Sequence, residues 1–296
     1  MSFGVAAETF TALTGVSVSP REAERLTEGR GAALEALREG ELAAAWPAEE
    51  AGRPATAGVW AAALDAARVR FDDGWHDVKA GVVFWAEPQW EGSGLAGGKA
   101  RAQSYVAETG PMEQAGERLY WEAVGRGIDP AEDLVVCLGD GAPANWSQFG
   151  LHFPKRVEVL DWYHAVEHLW AAARDRWGED PTQVETWVEA RKGELWKGDV
   201  AAVLSALSRG ETTSELHYFE TNRHRMRYRE FRDRGYPLGS GTVESACKRV
   251  IGARLKQAGM RWSKAGAQAV LNLRTQLLSG RWDTTWPLTR PRLTFA

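Results

Sequence analysis

Three acidic residues have the surroundings that carboxylate chemistry requires. Asp65 follows the apolar run Val59-Trp60-Ala61-Ala62-Ala63-Leu64. Asp140 sits between glycines in Gly139-Asp140-Gly141-Ala142, directly after the continuous apolar run Leu134-Val135-Val136-Cys137-Leu138. Open α/β sheets place their ligands at such strand ends. Glu244 lies behind the turn Gly239-Ser240-Gly241, where Ser240 or Thr242 can cap a helix and Lys248 follows at i+4. Singly, each acid reads as a cap or turn residue, and Glu244 fits a capping box worth about 1 kcal/mol. Together they read differently. Converging carboxylates repel unless a cation neutralises them, and hard oxygen donors suit Mg²⁺ or Mn²⁺. Two such ions about 4 Å apart serve phosphoryl transfer. The competing chemistry for paired acids is glycoside hydrolysis, which needs a sugar-binding cleft.

The elements around these acids set an order. Residues 1–55 read as an N-terminal helical segment, with Ser19 as cap and Pro20 at the first helical position, and Gly40 as a helix stop. Gly52-Arg53-Pro54 breaks that pattern. A three-strand antiparallel meander is expected next: Val59–Leu64, Arg68–Phe71 and Trp75–Trp85, with Asp72-Asp73-Gly74 as a turn and Asp65 at the end of the first strand. Gly92–Gly98 reads as a loop and Arg101–Val124 as a helix. The runs at Leu134–Leu138 and Arg156–Leu160 are strands of a parallel type. Residues 56–161 thus form the first part of a core. Residues 162–236 read as a helical insertion broken near Gly178, Gly198 and Gly210, and 237–296 as the Glu244 helix, a last helix and a coil tail. This order predicts an α/β fold: an RNase H-like mixed sheet with flanking helices and an all-helical insertion before the last acid. Asp65 and Asp140 would then lie side by side, within reach of a late carboxylate.

The formal net charge is −4, but its distribution is uneven. Between Asn222 and Trp262 eleven Lys and Arg face three Asp and Glu, a net +8 that leaves −12 for the rest. A basic face on an acidic body is the footprint of a phosphate-backbone binder. Arg232, Arg234, Lys248, Arg249, Arg254, Lys256 and Arg261 are its candidate DNA contacts. The two cysteines, Cys137 and Cys247, form no CxxC pair, so neither a disulfide framework nor a zinc site is implied. Hydrophobic residues at 44% fit a soluble globular chain, and no apolar run reaches membrane-spanning length. A cytoplasmic location is expected. His164 and His168, one helical turn apart, read as a polar network at a helix start.

The chain resembles the ISKra family of insertion-sequence transposases. The similarity rests on Leu64-Asp65, Asp73–Phe84, Gly139-Asp140-Gly141-Ala142, Val159–Leu169, Gly239–Ser245, Gly259–Ser263 and Gly266–Arg274. It spans most of residues 58–286. The resemblance implies a DDE enzyme that cuts and joins DNA with two Mg²⁺ or Mn²⁺ ions held by Asp65, Asp140 and Glu244. It implies double-stranded DNA as partner, at transposon ends and target, and a homo-oligomer on that DNA. Asp161 and His164 would support the site at the edge of the helical insertion. Ala66 stands where the family usually has glycine, which leaves Asp72 or Asp73 as alternatives to Asp65. Family members usually carry more sequence ahead of the core. The alternative expectation is therefore a truncated or domesticated DNA-binding derivative without catalysis.

Overall fold

Ser19 caps a helix as its spacing predicts: its hydroxyl oxygen accepts from the Glu22 N–H at 3.1 Å. That helix is α2 (Pro20–Glu35), between α1 (Phe3–Thr14) and α3 (Glu39–Ala44). Gly40 lies inside α3 rather than closing α2. The computed structural model describes residues 2–37, 39–44, 54–91, 94–178, 180–209, 213–239 and 241–289. The expected break at Gly52-Arg53, the loop start at 92–93, Gly210, the Ser240 cap and residues 290–296 lie outside them.

A five-stranded mixed sheet with flanking helices forms the centre of this α/β fold. Its strands are β1 (Val59–Phe71), β2 (Gly74–Glu91), β3 (Gly94–Glu108), β4 (Val135–Gly139) and β5 (Arg156–Leu160), in the order β3-β2-β1-β4-β5. The pairs β1/β2 and β2/β3 are antiparallel, whereas β1/β4 and β4/β5 are parallel. Every residue of β4 is buried, which is why its sequence is apolar without alternation. Helices α4 (Met112–Gly125) and α5 (Pro143–His152) flank the sheet.

Two strands differ from the expected meander. Val59–Leu64 and Arg68–Phe71 are one 13-residue strand, so Asp65 stands within β1 instead of at its end. The third strand is β3, where a glycine loop and the first turns of a helix were expected. Pairing along β2 overrides the local helix propensity of 101–108. Gly98 permits a close backbone approach, since a Cβ there would lie 2.7 Å from the Gly235 carbonyl oxygen. The helix itself starts only after Pro111.

The helical insertion comprises α6 (Trp162–Trp177), α7 (Pro181–Trp196), α8 (Val200–Leu207), α9 (Thr213–Asn222) and α10 (Tyr228–Asp233). The chain returns to the sheet as α11 (Gly241–Ala246), a π-helical turn (Cys247–Gly252) and α12 (Ala253–Leu255). Then come α13 (Lys264–Leu278) and α14 (Trp282–Thr285), the latter where coil was expected. Trp262 pairs with the free end of β1 at Phe71.

Helices α2 and α13 pack closely. A Cβ on Gly31 would stand 1.9 Å from the Ala269 carbonyl oxygen. The Asn272 amide donates to the Gly31 carbonyl at 3.1 Å and to Glu35 at 2.7 Å, and Gln268 donates to the Ala107 carbonyl of β3 at 3.1 Å. Among the described residues no helix is long and apolar enough to cross a membrane.

Candidate functional site

Strand register brings acids together. Ala63 pairs with Leu138, so two residues further on Asp65 is level with Asp140. Gly139 pairs with Leu160, which sets Asp140 level with Asp161. Three acids therefore stand in a row across three adjacent parallel strands, within β1 and just past the ends of β4 and β5.

Asp65 is held by its neighbours. One oxygen accepts from the Ala66 N–H at 2.7 Å and the other lies 3.6 Å from the Cys247 sulfur. Burial raises its pKa; the Ala66 bond opposes that rise, and the charge of Asp140 adds to it. Burial likewise pushes the Cys247 thiol up, and Asp65 pushes it further. The thiol's hydrogen bond favours the charged Asp65 carboxylate, while that carboxylate disfavours a Cys247 thiolate.

Asp140 is fixed from two sides. Its Oδ1 accepts from the Ala142 N–H at 2.9 Å and from the Asn145 amide at 3.1 Å. The same amide lies 3.3 Å from the Leu64 carbonyl oxygen, so Asn145 ties the β1 and β4 levels together. Tyr218 of α9 donates to the Asp140 carbonyl at 2.8 Å. Its ring stacks on His168, whose Nδ1 is 2.5 Å from Glu215. The insertion thus closes over the Asp140 turn. Gly141 has φ +104°, and a Cβ there would stand 2.6 Å from the Tyr218 ring.

Asp161 is fully buried. It caps α6, accepting from the His164 N–H at 2.7 Å, and the same oxygen is 2.9 Å from His164 Nδ1. That hydrogen bond raises the His164 pKa to about 9 against the effect of burial; the charges of Asp161 and Asp140 add to the rise. His164 and His168 each have Nδ1 on a different acid.

Glu244 is placed otherwise. Val243, Ala246 and Cys247 are the buried side of its helix, while the Glu244 side chain is 59% exposed and 2.5 Å from Lys248. The helix reaches Asp65 through Cys247 instead. Among the described residues no three His, Cys, Asp or Glu side chains form a group that could hold a metal ion. Asp73, beyond the strand end, pairs with His76 and Lys264.

Part of the basic stretch is ion-paired. Arg225 pairs with Glu158, Arg227 and Arg234 with Glu230, and Arg229 with Asp233. Arg232 lies over the Trp196 ring at 4.0 Å. Arg254 does not fit the expected phosphate contact. It is 7% exposed, between the Phe3 and Trp262 rings at 4.3 and 4.8 Å, and burial lowers its pKa. Lys248, Arg249, Lys256 and Arg261 remain exposed. Sequence reasoning missed Asn145, Tyr218 and Cys247. Asn145 carried a signal, in the first turn of a helix behind Asp140. Tyr218 and Cys247 carried none, for their partners are 78 and 182 residues away.

No protein-family model matches this chain, and no curated protein matches it.

Proposed function

We propose that the chain is a metal-dependent DNA transposase of the DDE type with an RNase H-like core. The observation that carries this reading is the strand order β3-β2-β1-β4-β5 with Asp65 and Asp140 level on neighbouring strands. That is the order of such a core. The donor set is chemically suited to Mg²⁺ or Mn²⁺, with hard oxygens level on neighbouring strands. Asp65 and Asp140 would hold two ions, with Glu244 as the third carboxylate. The ions would supply activation of the attacking oxygen and neutralise charge at phosphorus. The protein's own residues hold the frame: Asn145 fixes Asp140, and Asp161 orients His164 beside it. Lys248, Arg249, Lys256 and Arg261 would take backbone phosphates of transposon ends and target. Joining two ends calls for a homo-oligomer on the DNA, and a cytoplasmic location fits that work.

A second reading is a domesticated derivative that binds DNA without cutting it. The outward Glu244–Lys248 pair favours it. Cleavage of a labelled transposon-end duplex in Mg²⁺ and in Mn²⁺ separates the two. The first reading expects an active parent, and at least about a hundredfold loss in Glu244→Gln with duplex binding kept. An equally active Glu244→Gln removes Glu244 from the chemistry. A parent that binds duplex and never cuts it establishes the second reading.

A further inference from the structure

At the far end of β1 and β2 the sheet meets the turn after α12. Arg70 and Trp75 are direct cross-strand partners there, with the guanidinium 5.8 Å from the ring centre. Together with Lys256, Gln257, Met260 and Arg261 they line a groove of about 410 Å³. Trp75 is 55% exposed. The surrounding charges are neutralised: Arg68 pairs with Asp77, while Lys264 and His76 pair with Asp73. Among the described residues Arg70, Lys256 and Arg261 have no carboxylate partner. The groove therefore combines three cations that no carboxylate neutralises, Arg70 among them against the ring, with a half-exposed indole.

We infer that this groove binds single-stranded nucleic acid, with a base stacked on Trp75 and backbone phosphates on Arg70, Lys256 and Arg261. An aromatic platform beside a basic track is how sequence-tolerant single-strand binders work. In a duplex the base faces are stacked on one another, so a regular double helix offers the indole nothing. An acidic peptide would satisfy the cations and leave the ring without a stacking partner. The groove lies five register steps from Asp65, about 17 Å along the strand. It is therefore separate from the acids. The assignment of nucleic acid as the partner rests in part on the transposase reading.

The test is fluorescence anisotropy of a short labelled oligothymidylate at low salt without divalent ions, using the full chain. Blunt duplex binding and thermal melting are measured beside it. Trp75→Ala should weaken single-strand binding about tenfold, and Trp75→Phe should keep most of it. Trp90→Ala, at an exposed tryptophan on the opposite end of β2, should leave it unchanged. Duplex binding and melting should not move in Trp75→Ala. Equal single-strand binding by Trp75→Ala and the parent would overturn the inference. So would competition by poly-glutamate as effective as by unlabelled oligothymidylate. A parent that cuts duplex but ignores single strands sinks this inference alone. A parent that binds single strands through Trp75 and never cuts removes the catalytic reading and leaves this one.

Discussion

At the scale of single residues, the pairing of His164 with buried Asp161 makes a prediction about pH. The folded-state pKa of about 9 lies above the ordinary 6.5, so this contact stabilises the protein fully below pH 6.5. The contribution is lost as pH rises through about 9. His164 is partly exposed, so the effect is modest. Melting curves of the parent and His164→Gln should differ most near pH 6 and converge toward pH 10. A gap that does not change with pH would contradict the ion pair. Asp161 stood out only through the family resemblance, as a residue that would support the site. That it stands level with Asp65 and Asp140 was not legible, because level is a property of register, and register follows from pairing along β4.

At the scale of elements, the contact between α2 and α13 depends on one missing methyl group. Gly31→Ala would drive a Cβ into the Ala269 carbonyl. The helices must separate, and the Asn272 bonds to Gly31 and Glu35 stretch or break. A loss of about 2 kcal/mol or more is expected, read as a lower midpoint in urea. Gly29→Ala, on the same helix with open space around it, should be neutral or slightly stabilising. The helices were legible because caps and periodicity are local: Ser19 caps α2 ahead of Pro20 as its spacing indicates. β3 was not legible. Its residues suit a helix locally, and only the partner strand and the backbone of 235–237 make them a strand.

At the scale of the whole molecule, the basic stretch keeps most of its +8: its ion pairs use Glu230, Asp233 and Glu244, which that sum already includes, and Glu158 comes from outside. Duplex affinity should fall with salt, with a slope set by the exposed cations of that stretch. Arg261→Glu should weaken duplex binding with little change in melting temperature. Arg254→Glu should instead lower the melting temperature, because a carboxylate would replace a guanidinium packed between the Phe3 and Trp262 rings. Equal effects of the two on binding, with both proteins equally stable, would contradict the burial of Arg254. Charge counting along the sequence could not see this, since it treats a cation between two rings like one in water.

The bond from Asn272 to Gly31 spans 241 residues. On the ribosome, α2 emerges more than two hundred residues before the α13 surface that covers it. Until α13 is complete, the apolar side of α2 around Leu34, buried in the finished protein, has no final partner. Closing so long a loop is entropically slow to reward. Helices α1 and α2 are therefore synthesised long before α13 and wait for it to reach their native packing, and a nascent chain stalled before Lys264 would leave α2 exposed to chaperones and proteases.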